Sequence, residues 1–202
     1  MTIRFVGDTV DDMFDVAVIE DPVAAGVSLD PMRSRLLAAL VEPLSATALA
    51  TAVGLPRQKV NYHLRELEKH GLVELVEERR KGNMTERVLR ATAASYVISP
   101  AVLKEVAPDP DRAPDRLSAR WLLALAARLV RDVGALITGA TKAGKPVATF
   151  GIDGEVRFAS PRERAAFAAD LAEAVTNLVS RYHDDDGRAY RLVVAVHPVP
   201  HE

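Results

Sequence analysis

The chain has 202 residues, 49% of them apolar, 27% charged and none cysteine. That is enough for one or two domains with a sizeable core, and it excludes an unfolded chain, a disulfide scaffold and thiolate chemistry. The net charge of −2 hides a segregation: residues 1–30 carry one arginine against seven acids, residues 57–90 nine lysines and arginines against six acids. Phosphate contact needs a positive face rather than a positive protein. No run of 18 uncharged apolar residues occurs, and Asp8, Asp11, Asp12 and Asp15 interrupt any signal-like stretch, so a soluble cytoplasmic protein away from membranes is expected.

Residues 1–20 read as an acidic arm, with short strand patterns at Thr2–Val6 and Val16–Ile19, the latter either a strand or irregular. Asp21-Pro22 opens a short helix ending near Val27. Asp30-Pro31 is a second N-cap and first-turn proline, starting a helix with Met32, Leu36, Leu37 and Leu40 inward and Pro43 at its close. Ser45 caps the next helix, whose apolar positions are Ala48, Leu49, Ala52 and Val53; Gly54 ends it. Pro56 starts a further helix with Val60, Leu64 and Leu67 on one face, and Gly71 stops it. Leu72–Val76, a turn at Gly82-Asn83 and a return strand to Arg90 make a charged hairpin.

The other face of the helix after Pro56 carries Arg57, Gln58, Lys59, Asn61, Tyr62 and Arg65. Arginine and lysine reach guanine edges, and asparagine and glutamine reach adenine. His63 flanks the core positions, either packing or touching a phosphate, and Tyr62 fits packing against the hairpin equally well. Arg79, Arg80, Lys81 and Arg87 fall at or beside the hairpin tip, in reach of phosphate or a minor groove. Any surface helix has a polar face. The order of capped helix, glycine turn, basic helix and basic hairpin is more specific.

Within Leu29–Arg90, the runs Asp30–Leu40, Leu44–Ala50 and Val60–Val73, the last reading Val-Asn-Tyr-His-Leu-Arg-Glu-Leu-Glu-Lys-His-Gly-Leu-Val, resemble the winged-helix ArsR-type bacterial transcription regulators. The resemblance covers about a third of the chain. It implies a dimeric regulator whose second motif helix reads operator DNA. Metal-sensing members carry cysteines in the first motif helix; this chain has none, so the resemblance supports the DNA-binding half and no thiolate metal sensor.

Residues 21–99 are thus expected to form a winged helix-turn-helix domain, with a short strand at Ser95–Ser99. Residues 100–115, with four prolines, read as a linker containing a short helix at Ala101–Val106. Residues 116–202 read as a small α+β dimerisation and possible ligand-binding domain, making the whole chain α+β. A helix from about Asp115 to Thr138 is apolar on most sides, and a second subunit is its expected cover. Gly139–Lys145 fits most of a phosphate-binding loop, but Pro146 stands where Ser or Thr should hold Mg²⁺, and the loop follows a helix. Three strands, 147–152, 154–159 and 190–196, are expected around a helix opened by the Ser160–Glu163 capping box, with Phe167, Leu171, Val175, Leu178 and Tyr182 inward. Asp184–Asp186 read as a solvated turn, and His197 and His201 as a tail without metal.

The expected function is a DNA-binding transcriptional regulator, a repressor, reading operator DNA as a homodimer. A small organic effector would enter a pocket of Trp121, Leu125, Phe150, Phe158 and Phe167, five residues that serve equally as plain core. No catalytic cluster, cofactor or metal set is visible. The alternatives are a nucleotide-binding enzyme using Gly139–Lys145 and a winged-helix protein-interaction module.

Overall fold

The computed structural model describes residues 3–5, 14–81, 84–113, 115–116 and 118–200. The chain divides into two units, residues 10–147 and residues 1–9 with 148–202.

In the larger unit, local chemistry starts each helix. Asp21 Oδ2 accepts from the Ala24 N–H at 2.8 Å and opens α1 (Pro22–Ser28). Asp30 Oδ1 accepts from the Met32 and Arg33 N–H groups and opens α2 (Pro31–Ala39). Both helices have proline in the first turn, where its missing N–H costs nothing. Ser45 caps α3 (Ala46–Val53), which Gly54 ends at φ 69°. Then α4 (Arg57–Lys69) begins after Pro56, and Gly71 at φ 67° turns the chain out of it. Only glycine holds this left-handed backbone without strain. α2 closes at Leu40, before Pro43, where the Leu40 N–H is shared between the Leu36 and Leu37 carbonyls as the last turn tightens.

The hairpin β4 (Val73–Lys81) and β5 (Met84–Ala91) pairs antiparallel, and β3 (Leu44–Ser45) lies on the other side of β5. A register shift between Leu75 and Glu77 bends the hairpin. The expected turn at 82–83 lies outside the described residues. Leu36, Leu40, Leu49, Val60 and Leu67 are fully buried and join α2, α3 and α4 into one core. Together these elements form a winged helix-turn-helix.

Two further parts belong to this unit. β2 (Phe14–Ile19) pairs in parallel with β6 (Ala93–Ile98), so 16–19 is a strand. After a 3-10 segment (Pro100–Val106) comes α5 (Ala119–Ala143), which starts and ends a few residues later than its pattern suggests. Segment 100–115 does not divide the chain. Arg128 Nη2 of α5 donates to Asp109 Oδ1 at 3.2 Å and Asp111 Oδ2 at 2.5 Å, tying the segment down, and the division falls after Val147.

In the smaller unit β1 (Ile3–Phe5) pairs antiparallel with β7 (Ile152–Gly154). α6 (Pro161–Tyr182) is capped by Ser160 Oγ, which accepts from the Glu163 N–H at 3.2 Å, while Glu163 Oε2 accepts from the Ala159 N–H at 3.0 Å. The capping box is therefore formed. Residues 155–159 and 190–196 form no strand among the described residues, and no described residue of 148–200 is buried. A strand pattern becomes a ladder only beside a partner edge.

Candidate nucleic-acid interface

On α4 the positions 60, 63, 64 and 67 point inward and are buried. The spacing leaves 58, 61, 62 and 65 on the outer face. Arg57, Gln58, Lys59, Tyr62 and Arg65 are exposed there, and Asn61 is half-buried. Arg57, Lys59 and Arg65 make no ion pair among the described residues, so their charge is open to solvent. No side chain caps the start of α4, which leaves first-turn N–H groups and the positive end of the helix dipole at the surface. The face can therefore take a polyanion backbone at its first turn and hydrogen-bond base edges further along.

His63 does not share that face. It is only 8% exposed, both ring nitrogens lack a hydrogen-bond partner among the described residues, and Tyr62 meets it edge-on at 5.4 Å between centroids. The reason is helical spacing: His63 is three residues after Val60 and four before Leu67, on the inward stripe. At the start of α2, the Arg33 backbone N–H holds the Asp30 carboxyl below its ordinary value, helped by the Met32 N–H and the Arg33 charge.

The wing is less uniform than its sequence. Arg79 pairs with Glu77 on its own strand. Arg80 is exposed and makes no ion pair among the described residues. Lys81 ends β4, opposite Met84. Arg87 is placed differently from expectation. It lies opposite Glu78, behind the tip, and turns to α4: Nη1 donates to Glu68 Oε2 at 3.1 Å and Nη2 to Glu68 Oε1 at 2.6 Å. That bidentate pair lowers the Glu68 pKa and raises that of Arg87, in each case chiefly through the side-chain hydrogen bonds. Sequence reading assigned Glu68 nothing, since no local signal couples positions 19 residues apart.

The phosphate-loop pattern dissolves in the structure. Gly139–Ala143 is the last turn of α5, and Gly144 at φ 59° caps it. The Gly144 N–H bonds the Thr141 carbonyl and the Lys145 N–H the Ala140 carbonyl, so these donors are used. The negative end of the helix dipole stands there, which disfavours a phosphate. The five pocket candidates do not fall in one unit. Trp121 and Leu125 belong to α5; Phe158 and Phe167 meet at 5.2 Å in the smaller unit, where Phe150 is 75% exposed. A half-open surface hollow of about 310 Å³ in the larger unit is lined by residues of α1, α2 and β6, including Ser28, Leu37 and Tyr96, and by none of the five. Among the described residues no cluster of three acids or histidines is placed to hold a metal, and no helix is long and apolar enough to cross a membrane.

A family model described as a helix-turn-helix domain matches residues 29–76, the span from the end of α1 into β4. This segment is a helix-turn-helix domain. The ArsR-type resemblance read from the sequence falls on this helix-turn-helix. Two solved structures from Mycobacterium bovis are similar to it. One is a crystal structure of a possible transcriptional regulatory protein (fragment 1–100), 25% identical over 35% of this chain and 72% of that chain, with a TM-score of 0.29. The other is a solution structure of a homodimeric winged helix-turn-helix DNA-binding domain (fragment 1–100), a possible ArsR-family transcriptional regulator. It is 25% identical over 35% of this chain and 62% of that chain, with a TM-score of 0.30. The DNA and the homodimer in those descriptions belong to those proteins. No curated protein matches the chain.

Proposed function

We propose that the protein is a DNA-binding transcriptional regulator that lays α4 in a major groove and sets the β4–β5 wing on the flanking backbone. The observation that carries this is the outer face of α4. Arg57, Lys59 and Arg65 are exposed without ion pairs, alongside Gln58 and the half-buried Asn61, on the second helix of a helix-turn-helix. Such a helix reads base edges from its N-terminal half. Arg80, and Lys81 at the end of its strand, supply the sequence-independent share from the wing.

The working form is a homodimer. α5 leaves Leu123 70% exposed and Leu129 and Leu136 also uncovered, while Ala124 and Gly134 are buried. An apolar helix surface of that extent favours a partner, and two heads suit two half-sites.

Selection of bound sequences from a random duplex pool, at near-physiological salt, tests the proposal. Recovery of an inverted repeat with half-sites about one helical turn apart is expected. Enrichment of nothing, or binding unchanged when Gln58, Asn61 and Arg65 are replaced together, overturns it. The second outcome is what a protein-interaction module would give.

A further inference from the structure

Arg87 stands out among the wing cations. Its guanidinium is engaged by both oxygens of Glu68 on α4, at 2.6 and 3.1 Å, and Glu78 lies directly across the ladder from it. Both carboxylates raise the Arg87 pKa further, the Glu78 charge adding to that of Glu68. An arginine held on both oxygens of one carboxylate, with a second carboxylate across the ladder, has less net charge to offer a phosphate. A planar fork on a carboxylate, by contrast, constrains direction as well as distance. Elsewhere the wing joins the helix through the short turn at Gly71-Leu72, and β4 is bent by its register shift beyond Leu75. Just past that bend the buried Val88, opposite Glu77 and paired with Ser45 of β3, still holds the base of the hairpin, and the Glu68–Arg87 pair stands one residue further out.

We infer that the Glu68–Arg87 pair is a positioning device, setting the angle between the wing and the DNA-reading helix, and that Arg87 does not itself contact DNA. This rests on the DNA-binding reading above. The two roles predict opposite signs for Glu68. If Arg87 gripped phosphate, removing Glu68 would free a cation and tighten binding or leave it unchanged. If the pair positions the wing, losing either partner weakens binding alike, and losing both adds nothing.

The test uses the full chain with Glu68→Gln, Arg87→Gln, both together, and the exchanged pair Glu68→Arg with Arg87→Glu. Each is read by affinity for the selected duplex over a salt series and by amide hydrogen exchange in β4 and β5 without DNA. Each single replacement is expected to weaken binding about two- to fivefold, the range of one exposed ion pair, with the salt slope unchanged. The double replacement should match the singles, the exchanged pair should recover most of the loss, and wing exchange should quicken in the singles and recover with the swap. Tighter or unchanged binding of Glu68→Gln, or a salt slope reduced by about one in Arg87→Gln, overturns the proposal. If the parent binds no duplex, the DNA reading fails while the exchange data still decide the pair. Quickened exchange that the swap restores upholds its positioning role, and unchanged exchange overturns it.

Discussion

Gly134 of α5 lies against Val18 of β2 so closely that a Cβ on the glycine would stand 2.8 Å from Val18 Cγ1. The contact joins the N-terminal strand to the long helix inside one unit. Gly134 is helical and buried, so its value is the close approach rather than backbone freedom. Gly134→Ala should raise helix propensity yet lower stability, by about 1–3 kcal/mol as for an overpacked core. Thermal unfolding checks this. Pairing it with Val18→Ala, which removes the clashing methyls, should recover much of the loss; equal loss in the pair would locate the strain elsewhere.

Two arginines should separate reading from gripping. Arg65 lies on the exposed face of α4, and Arg80 on the wing. Arg65→Ala is expected to cost about 1–3 kcal/mol on the selected site and to relax preference at one base pair. Arg80→Ala should weaken all duplexes alike and reduce the salt slope by about one. Binding across a set of single-base variants of the site distinguishes the two patterns.

His63 predicts a separation of stability from binding. Its ring nitrogens are buried without partners among the described residues, which is unfavourable for a polar side chain. His63→Leu should therefore hold or raise stability, by up to about 1 kcal/mol, and keep the DNA affinity of the parent. His63→Asp should unfold the domain more easily, because a carboxylate there lacks a partner. Urea midpoints and affinities measured on the same preparations test both; a Leu variant that is stable yet loses DNA would return His63 to the interface.

The Glu68–Arg87 pair carries a pH signature. The Glu68 carboxyl titrates below its ordinary value of 4.5 in the folded protein because Arg87 donates to it. A depressed carboxylate contributes stability above its unfolded pKa and loses it as pH falls through the lower folded value. Parent and Glu68→Gln should thus differ at pH 7, by no more than about 1 kcal/mol since both side chains are partly exposed. The difference should fade below pH 4.5. Urea midpoints across that range check it, and a difference that does not shrink as pH falls below 4.5 would rule out titration of Glu68 as its source.

The helix-turn-helix was legible because its signals are local. Asp21, Asp30 and Ser45 cap helices within three residues of themselves, and Gly54 and Gly71 take left-handed backbone that the chain turns require. The inward stripe of α4 follows from its spacing, and the same spacing applied to position 63 would have placed His63 inside. These features depend on neighbours three or four residues apart, and such chemistry is written in the order of residues.

Tertiary structure decided everything that joins distant residues. Phe14–Ile19 became a strand because Ala93–Ile98 lies beside it in parallel, a partner that alternation alone does not name. The Arg87 guanidinium turns to α4 because Glu68, on another element, receives it. Residues 190–196 carry a strand pattern yet form no ladder among the described residues, since a strand is completed only by a second edge. Caps and periodicity are properties of a segment by itself; pairing, ion clamps and close approaches belong to two segments at once, and only folding brings the second one near.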